Sequence, residues 1–273
     1  MDSSLFKLTS LNLNGIRSAT SKGVEAWVAA TGPDCICVQE VKAQAPDIQG
    51  RFEQLAGLDG HFHFAAKKGY SGVGIYTRHL PSDVISGFNS AEFDPEGRYV
   101  ELRFDTPARK FSIISAYFPS GSSGEERQQA KFRFLAEMHA HLMRLKTERD
   151  FVLCGDINIA HRKEDLKNWR SNQKNSGFTP EERAWMDMLL HPTEPTGGIV
   201  DVYRVLQPDT TDSCYTWWSN RGQAYANNVG WRLDYHLATP AIAALARQES
   251  IYKGEKFSDH APITIGYDLS LGR

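Results

Sequence analysis

Short apolar runs, in which hydrophobic residues either alternate with polar ones or follow one another, recur along the whole chain. Residues 6–13 alternate and end at the turn signal Asn14-Gly15, and residues 34–38 form a continuous run that ends at Gln39-Glu40. Runs of this kind, bounded by turn residues, predict β-strands. The same pattern predicts further strands at residues 61–66, 73–76, 99–104, 111–118, 151–154, 215–218, 232–238, 246–252 and 263–268.

Helical patterns separate these runs. Residues 24–30 have a helical pattern that stops at Gly32-Pro33. Ser123-Gly124-Glu125-Glu126 has the sequence of a capping box and predicts the start of the longest helix. Thr179-Pro180-Glu181-Glu182 combines a cap, a first-turn proline and a glutamate at the third position, and predicts a helix that ends at Leu190. The apolar face of the longest helix consists of Phe134, Leu135, Met138, Leu142 and Leu145.

The alternation of strands and helices continues without a break in composition. No Gly/Ser-rich linker divides the sequence, and no short repeat is present. A chain of 273 residues can form one large domain or two small ones. We therefore predict a single domain over residues 1–273, of the α/β class, with mixed strands rather than a regular series of βαβ units.

The overall charge limits how the chain could interact with a polyanion. The formal net charge is -2, and the pI calculated from the sequence is about 6.5. A protein with this balance does not bind nucleic acid through its net charge, so any such surface must be a local basic patch.

The four cysteines indicate a reducing compartment. Cys35 and Cys37 share one face of a predicted strand, Cys154 ends another apolar run, and no C-x-x-C spacing is present. Buried free thiols are therefore the favoured interpretation, over a metal site or a disulfide. The start at Met1 has no basic segment followed by an apolar one, and no apolar run approaches bilayer length. We predict a cytoplasmic protein that does not enter a membrane.

Four polar clusters lie at the ends or mouths of predicted strands. Reactive side chains at such positions are held rigidly, as catalysis requires. Carboxylates are hard oxygen ligands that suit Mg²⁺, which takes only one or two of them and keeps several waters. The clusters are Asn12-Leu13-Asn14-Gly15, Gln39-Glu40, Gly155-Asp156-Ile157-Asn158 and Ser258-Asp259-His260.

Each cluster alone also has a purely structural interpretation. Glu40 could be a solvated residue at a strand end, and Asp156 after Gly155 could be a turn aspartate that accepts from its own backbone. Asp259 could be a capping residue beside a surface histidine, His260. Together, several carboxylates, amide side chains and an imidazole at strand ends favour a site for metal-assisted phosphodiester cleavage.

The clusters and the segments between them resemble the exonuclease III family of apurinic/apyrimidinic (AP) endonucleases, bacterial-type enzymes among them, within the endonuclease/exonuclease/phosphatase superfamily. The resemblance covers essentially the whole chain. Asn14 stands where several family members carry an acidic residue, so its role in metal binding stays open. Further matching motifs are Gly69-Tyr70-Ser71-Gly72-Val73, Glu96-Gly97-Arg98, Tyr117-Phe118-Pro119, residues 172–178, Val229-Gly230-Trp231-Arg232-Leu233-Asp234-Tyr235 and Ala261-Pro262 after His260.

The resemblance implies a four-layer α/β/β/α sandwich, in which two packed mixed β-sheets are flanked by helices and the site lies at one edge. It also implies Mg²⁺ as the cofactor, with Mn²⁺ as a substitute. Glu40 would bind the metal, and Asn12 and Asp259 would be direct or water-mediated partners of it.

The resemblance further implies roles for five residues around the scissile phosphate. Asp234 would accept a hydrogen bond from His260 and so fix its tautomer and orientation. His260 would then stabilise charge that develops on the phosphate. Asp156 would be the general base or would position the attacking water. Asn158 and Tyr117 would donate hydrogen bonds to the phosphate or the nucleophile.

Two segments could hold DNA in spite of the net negative charge. Residues 161–178 carry five basic and two acidic residues, 5 − 2 = +3, with interleaved amide and aromatic side chains. Residues 213–233 contain no Asp or Glu but several aromatic and basic residues. A solvated loop and a set of core aromatics are the simpler interpretations, and we assign Trp218 to the core.

By resemblance, Trp217, Trp231 and Leu233 line a pocket for a flipped-out sugar that has lost its base. An apolar slot of this kind would exclude a normal nucleotide sterically. Asn172 and Asn175 match positions that contact DNA in the family.

We therefore predict a Mg²⁺-dependent AP endonuclease of base-excision repair, which hydrolyses the phosphodiester 5′ to an abasic site and leaves a 3′-hydroxyl. Its partner would be double-stranded DNA with abasic sites or blocked 3′ ends, and it would act as a monomer. One alternative is an enzyme used mainly as a 3′–5′ exonuclease or 3′-end-cleaning phosphodiesterase. A more distant one is a non-catalytic DNA- or protein-binding module on this scaffold.

Overall fold

Two mixed β-sheets form the centre of the fold. The computed structural model describes residues 4–193 and 197–271, so the expectation for the start of the chain at Met1 falls partly outside the described residues. The strands are β1 (Phe6–Asn12), β2 (Cys35–Gln39), β3 (Gln54–Leu55), β4 (Leu58–His63), β5 (Val73–Thr77), β6 (Asp83–Ser86), β7 (Tyr99–Arg103), β8 (Phe111–Tyr117), β9 (Asp150–Asp156), β10 (Val200–Asp201), β11 (Trp217–Trp218), β12 (Gly230–Trp231), β13 (Asp234–Ala238), β14 (Ala246–Ile251) and β15 (Ile263–Tyr267).

The helices lie outside the two sheets. The predicted helix at residues 24–30 is confirmed, with one further residue at its end. The helices are α1 (Ile16–Ser21), α2 (Val24–Thr31), α3 (Ala45–Ile48), α4 (Glu125–Glu148), α5 (Trp169–Asn172), α6 (Pro180–Leu190), α7 (Val202–Leu206) and α8 (Pro240–Ala243), with short 3₁₀ turns at Asp94–Glu96 and Lys163–Asp165.

Each sheet contains one parallel strand pair among antiparallel ones. The first sheet has the order β14-β15-β1-β2-β5-β4-β3, in which β1 and β2 are parallel. The second has the order β10-β13-β9-β8-β7-β6, in which β8 and β9 are parallel. A small third sheet joins β11 and β12. The predicted α/β class and its mixed sheets are confirmed.

Strand alternation produces three buried layers between the secondary structures. In β2, Cys35 and Cys37 face the core between the two sheets, whereas Ile36 and Val38 face a second core with helix α2. In β9, Val152 belongs to the inter-sheet core, and its neighbours on the strand pack against α4 and α6. Helices therefore cover the outer faces of both sheets, as the four-layer prediction requires.

The two predicted capping boxes have different outcomes. Thr179 accepts from the Glu182 N–H and the Glu182 side chain accepts from the Thr179 N–H, so the box at α6 is confirmed. The box at Ser123 is wrong, because α4 begins at Glu125 and its N-cap is Gly124, which forms no side-chain cap. Gly124 has φ 129°, a conformation open to glycine, and Ser123 therefore lies one residue too far from the helix.

Other differences concern short elements. The strand predicted at residues 61–66 runs instead over Leu58–His63, and the one predicted at 232–238 begins two residues later, as β13. Several short elements have no counterpart among the sequence predictions, namely β3, β6, β10, β12, α1, α3, α5, α7 and α8. They are two to six residues long, which gives hydrophobic periodicity too few positions to be seen.

All four cysteines are free and buried, as predicted. Burial raises the pKa of the Cys37 thiol well above its usual value, and it raises that of Cys214 to about 11. The Cys37 and Cys214 thiols therefore stay protonated and unreactive at neutral pH. Among the described residues, none of the helices combines the length and apolarity needed to cross a bilayer.

Candidate active site

The strand ends singled out in the sequence meet at one edge of the two packed sheets. Asn12 pairs with Gln39 at the end of the parallel pair β1–β2, and Asp234 lies opposite Asp156 in the pair β13–β9. An isolated bridge joins Trp217 to the His260 segment. Sheet pairing alone therefore brings together residues that are up to about 250 positions apart in sequence.

Backbone geometry fixes several of these residues. Gly155 lies so close to β8 that a Cβ there would be 2.0 Å from the Ala116 carbonyl oxygen, so only glycine can precede Asp156. Asn14, Glu40 and Asn158 have positive φ angles of 43°, 47° and 55°. Such conformations cost a non-glycine residue roughly 1–3 kcal/mol, and they cluster at active sites and binding sites.

His260 is held by Asp234, as the resemblance implied. The imidazole Nδ1 is 2.8 Å from Asp234 Oδ2, and both residues are buried. The ring's Nε2 faces Asp156 Oδ2 at 3.6 Å. Burial lowers the pKa of His260, but the two carboxylates outweigh it and raise the pKa to about 10. The imidazole is therefore protonated at neutral pH.

Ser258 fixes the backbone on which His260 lies. Its hydroxyl donates to the Asn12 carbonyl oxygen at 2.6 Å and accepts from the His260 N–H at 2.9 Å. The Ser258-Asp259-His260 segment is thereby attached to the end of β1, which holds the first and the last polar clusters of the sequence in one place.

Asp156 is buried and surrounded by donors. It accepts from the Asn158 N–H at 3.0 Å through Oδ1, and from the Asn12 side-chain amide at 3.0 Å through Oδ2. Burial raises the pKa of Asp156, and Asp234 and Glu40 add to this against the opposing effect of His260, so that the pKa is about 7. A carboxylate with a pKa near neutrality is suited to exchange a proton during a reaction.

A second group of residues surrounds Glu40. The Asn12 amide donates to Glu40 Oε1 at 2.9 Å, and Lys42 Nζ is 3.0 Å from Oε2. Lys42 also donates to Asn14 Oδ1 at 2.5 Å, and the Asn14 amide donates to Asp259 Oδ1 at 3.1 Å. Lys42 and Asn14 therefore connect Glu40 to Asp259, with Asn14 as the uncharged member of the chain.

The donor set fits a hard divalent cation. Ligand atoms of Glu40, Asp156 and His260 lie within 4.8 Å of one another, and Asp259 lines the same cavity. Three carboxylates offer oxygen ligands, which Mg²⁺ and Mn²⁺ prefer. The side-chain oxygen of Asn12 accepts from the Asn14 N–H, so Asn12 meets the carboxylates with its amide nitrogen. It is thus placed to orient the acidic groups.

Tyr117 lies between Asp156 and a buried arginine. Burial raises its pKa well above the usual value, and the carboxylates of Glu40 and Asp156 contribute. The phenol therefore remains a proton donor at neutral pH. The guanidinium of Arg98 lies 4.9 Å from the centre of the Tyr117 ring and donates to its carbonyl oxygen at 3.1 Å.

An aromatic wall faces these polar groups across a cavity of about 240 Å³. Trp217 and Trp231 pair across β11 and β12, with their rings edge to face at 6.3 Å. The Trp217 indole also donates to Asp259 at 3.0 Å, so the wall is attached to the acidic groups. The lining includes Glu40, Tyr117, Asp156, Asn158, Trp217, Trp231, Leu233, Asp259 and His260.

The predicted DNA contacts Asn172 and Asn175 lie outside this cavity. Asn172 donates to the Asn168 carbonyl oxygen, and Asn175 donates to the Asn172 side chain, both at 2.8 Å. Ser176 and Gly177, which follow directly, do line the cavity. The two asparagines therefore form the outer part of the same loop. Trp218 is buried in a separate core cluster, as expected.

Sequence reasoning missed several residues of the site. Ser120 and Ser122 line the cavity from the loop after β8. Their signal was the Ser-Gly-Ser-Ser stretch after Tyr117, which resembles an ordinary turn. Lys42 was missed because a lysine beside a strand end is usually solvated.

Comparisons with known proteins agree with this geometry. Residues 9–260 match a family described as the Endonuclease/Exonuclease/phosphatase family. The chain is similar to the DNA repair nuclease APEX1 of Danio rerio, with 36% identity over 95% of this chain and 81% of the relative. It is also similar to an exodeoxyribonuclease of Bacillus subtilis (strain 168), with 32% identity over 95% and 98% of the two chains.

The fold also has a close solved counterpart. The crystal structure of the AP endonuclease LMAP from Leishmania major superposes with a TM-score of 0.84 and 26% identity, over 99% of this chain and 90% of that one. Sequence and structure comparisons therefore point to the same group of proteins.

Proposed function

The chain belongs to the Endonuclease/Exonuclease/phosphatase family, and we propose that it is a Mg²⁺-dependent AP endonuclease of base-excision repair. In this proposal it hydrolyses the DNA phosphodiester on the 5′ side of an abasic site and leaves a 3′-hydroxyl. The observation that carries the proposal is a single cavity, in which the oriented His260 and the acidic groups face a wall of Trp217, Trp231 and Leu233.

His260 is the group that meets charge on the scissile phosphate. Its Nδ1–H is engaged by Asp234, which leaves Nε2 directed into the cavity. A protonated imidazole with a pKa of about 10 remains cationic at neutral pH. It can therefore stabilise the negative charge that builds up on the phosphate oxygens in the transition state.

Asp156 is the group that handles the attacking water. Its carboxylate is positioned by the Asn158 N–H and the Asn12 amide. With a pKa of about 7, it is substantially ionised at neutral pH and basic enough to accept a proton from water. The Tyr117 phenol, which is next to Glu40, and the second proton of the Asn158 side-chain amide would hydrogen-bond the phosphate or the nucleophile.

Glu40 and Asp259 would hold the divalent cation, and Asn12 would keep Glu40 in place. When bound, Mg²⁺ would supply charge neutralisation at the phosphate and at the leaving oxygen. Asp156 lies close enough to Glu40 to share in this site, and the proposal includes Mn²⁺ as a replacement because the same oxygen ligands suit it.

The aromatic wall gives the site its selectivity. A flipped-out sugar without a base can lie against the indoles of Trp217 and Trp231 and the side chain of Leu233. A normal nucleotide would bring its base into the same limited volume. Asn172 and Asn175, on the outer part of the loop that ends at Gly177, would contact the DNA backbone beside the pocket.

A second candidate function is a 3′–5′ exonuclease or 3′-phosphodiesterase. This candidate is favoured by the similarity of the chain to a protein named exodeoxyribonuclease, of which the match covers 98%. The same phosphate chemistry serves both activities, and they differ in how DNA enters the pocket.

Three duplexes test the proposal. One carries an internal abasic analogue, one a matched 3′ end and one a 3′ phosphate, and each is assayed with Mg²⁺ and with EDTA. We expect metal-dependent incision at the internal site to be much faster than loss of 3′ nucleotides. The reverse order would establish the exonuclease candidate instead. Absence of any Mg²⁺-dependent product, with a His260→Ala variant as the baseline, would indicate a non-catalytic binding module.

The proposal includes a monomer that works in the cytoplasm on double-stranded DNA. The four buried thiols suit a reducing compartment. Sedimentation of the protein with a single-site duplex should give a complex of one protein per duplex.

A further inference from the structure

Helix α4 buries a charged residue on its apolar face. Lys131 precedes Phe134, Leu135 and Met138 at helical spacing, and its side chain is 0% exposed. Removing an ammonium group from water costs several kcal/mol unless its partners are well placed. Replacement by an apolar side chain would be the simplest way to stabilise this helix. The presence of Lys131 therefore calls for a role other than packing.

The ammonium group of Lys131 has two partners. It donates to the backbone carbonyl oxygen of Asn158 at 2.7 Å and to Glu182 Oε1 at 2.6 Å. Asn158 is a left-handed residue of the active site, whose N–H donates to Asp156 and whose side chain donates to the Phe118 carbonyl oxygen. Lys131 supplies the hydrogen bond on the remaining side of this residue.

Glu182 extends the connection to Gly177, on the loop that adjoins the aromatic wall at Trp231. It is fully buried, and its second oxygen accepts from the Gly177 N–H at 2.7 Å and the Thr179 N–H at 2.9 Å. Gly177 lines the cavity and has φ 96°, and its carbonyl oxygen accepts from the Ala160 N–H at 2.8 Å. The carboxylate therefore holds the turn that leads from the outer loop into the pocket.

We propose that Lys131 and Glu182 are a positioning pair, which sets the distance between the reacting side of the cavity at Asn158 and the DNA-binding loop at Gly177. The inference rests on the proposed function, because both walls matter only if a DNA phosphodiester is cleaved between them. Neither residue touches the substrate. They act through Asn158, whose N–H orients the carboxylate of Asp156, and through Gly177 beside Trp231.

A charge-neutral double variant, Lys131→Met with Glu182→Gln, separates positioning from stability. The Gln side-chain oxygen can keep the bonds to Gly177 and Thr179. Gln128 Nε2 donates to Glu182 Oε1 in the parent, so the Gln128 amide must turn over. Its Oε1, a buried acceptor that has no partner among the described residues, then accepts from the introduced amide. No unpaired buried charge is left, so the double variant should melt within about 3 °C of the parent. Each single variant leaves one charge unpaired and should melt much lower.

We expect the double variant to incise abasic DNA with a kcat about 30- to 100-fold below that of the parent, because small displacements of reacting groups have effects of this size. The dissociation constant for the duplex in EDTA and the Mg²⁺ concentration for half-maximal rate should change less than about threefold, since Glu40 and Asp259 are untouched. Arg133→Met is the matched control. Arg133 lies on the same helix as Lys131 and forms an exposed ion pair with Glu92, which is outside the helix. Its loss should leave all three quantities at parent values.

A folded double variant with the parent's kcat would overturn the inference and leave the pair a structural one. If this variant does not fold, Lys131→Gln with Glu182→Gln provides an amide pair at the same place. The glutamine side chain at position 131 is shorter than lysine and cannot reach the Asn158 carbonyl oxygen, so the same loss of kcat is expected. A kcat equal to that of the parent would again overturn the inference. Failure of the parent to incise abasic DNA would contradict the proposed function instead, because the parent is assayed first.

Discussion

Two groups of buried charged residues lie on either side of the aromatic wall, and their charges are balanced differently. The catalytic cluster, His260, Asp156 and Asp234, has two carboxylates around one imidazole, with Glu40 nearby. The second group, here called the arginine cluster, consists of Asp165, Asp201, Arg204 and Arg232. It pairs two carboxylates with two guanidinium groups, so its charges cancel.

The difference appears in the carboxyl groups themselves. Burial raises the pKa of Asp156 to about 7, since one imidazolium shared with Asp234 does not compensate for it. Asp165 is equally buried, but its pKa is held well below the usual value because Arg232 and Arg204 outweigh burial. When neighbouring cations fully offset the cost of burying a carboxylate, it stays ionised and inert. When they offset only part of that cost, the carboxylate readily takes up a proton or a cation.

The balanced cluster supports the unbalanced one. Arg232 lies between Trp231 and Leu233 in sequence, and it donates to Asp165 at 2.8 Å and to Asp201 at 2.6 Å. Its backbone N–H donates to the Asp165 carbonyl oxygen at 2.7 Å. The arginine cluster therefore holds the segment that carries Trp231 of the aromatic wall. The catalytic cluster, in contrast, has more negative charge than its one imidazolium neutralises.

Removing a member of the catalytic cluster should have the largest effect. His260→Ala and Asp156→Asn should each lower kcat by about 10³-fold, because the phosphate loses its cation or the water its base. Asp156→Asn should melt close to the parent, whereas His260→Ala leaves Asp234 buried without its cation and should melt lower. Single-turnover incision and DNA binding measured on the same samples check this. Near-normal rates in either variant would contradict the assigned roles.

Asp234→Asn examines the orientation of His260 alone. The amide keeps the shape of the carboxylate but neither its charge nor its acceptor preference, and the imidazole loses the partner that raises its pKa. Incision should fall while DNA binding persists, and the fall should become steeper as pH rises, since less imidazolium remains. A pH-independent loss would exclude the cationic role of His260.

Opening the arginine cluster should affect stability before chemistry. Arg232→Met leaves Asp165 and Asp201 buried with fewer cations, which should lower the free energy of unfolding by about 3 kcal/mol, or roughly 100-fold in the equilibrium constant. Urea unfolding measures it. Arg247→Met, which breaks the exposed pair with Asp268, should change the same quantity by less than about 0.5 kcal/mol. Equal losses in the two variants would show that the cluster has no special weight.

Lowering the pH should affect the catalytic cluster but not the arginine cluster. The expected effect is smaller, about a tenfold loss of incision rate for each pH unit. Asp156 must be ionised to act as a base, so at limiting Mg²⁺ the rate should fall as pH drops below about 7. A cation and a proton compete for the same carboxylates. At saturating metal, the fall in rate should therefore begin at a lower pH. Asp165 stays ionised over the range, because its pKa is lowered, so its pairs still contribute stability there. If the pH at which the rate falls does not change with the Mg²⁺ concentration, Asp156 does not share the metal site with Glu40.

The strands and the site were largely predictable from sequence, for a common physical reason. Strand ends are marked by apolar runs followed by polar residues, and the sheets bring such ends together. Asp234 and His260, 26 residues apart, meet as the resemblance implied. Sequence adjacency, in contrast, is a poor guide, since Asp259 faces Asn14 and Trp217 rather than the ring of His260.

What escaped prediction depends on contacts between distant helices and loops. Lys131 occupies an apolar position of α4, which in retrospect was a signal, but its partners Asn158 and Glu182 cannot be inferred from helical spacing. The arginine cluster was missed because Arg232 was assigned to a DNA-binding segment on its charge alone. The structure buries it completely and uses that charge internally.

The pairing of the first strand with the last has a consequence for how the enzyme comes into being. In the seven-stranded sheet, β1 lies between β2 and β15, with Phe6 opposite Tyr267. His260 lies three residues before the start of β15. A nascent chain of two hundred residues contains Glu40 and Asp156 but neither Asp234 nor His260. Closing so long a loop is slow compared with local folding. A growing chain should therefore be unable to cut DNA until β15 has been made, and cleavage would then begin as an all-or-none event.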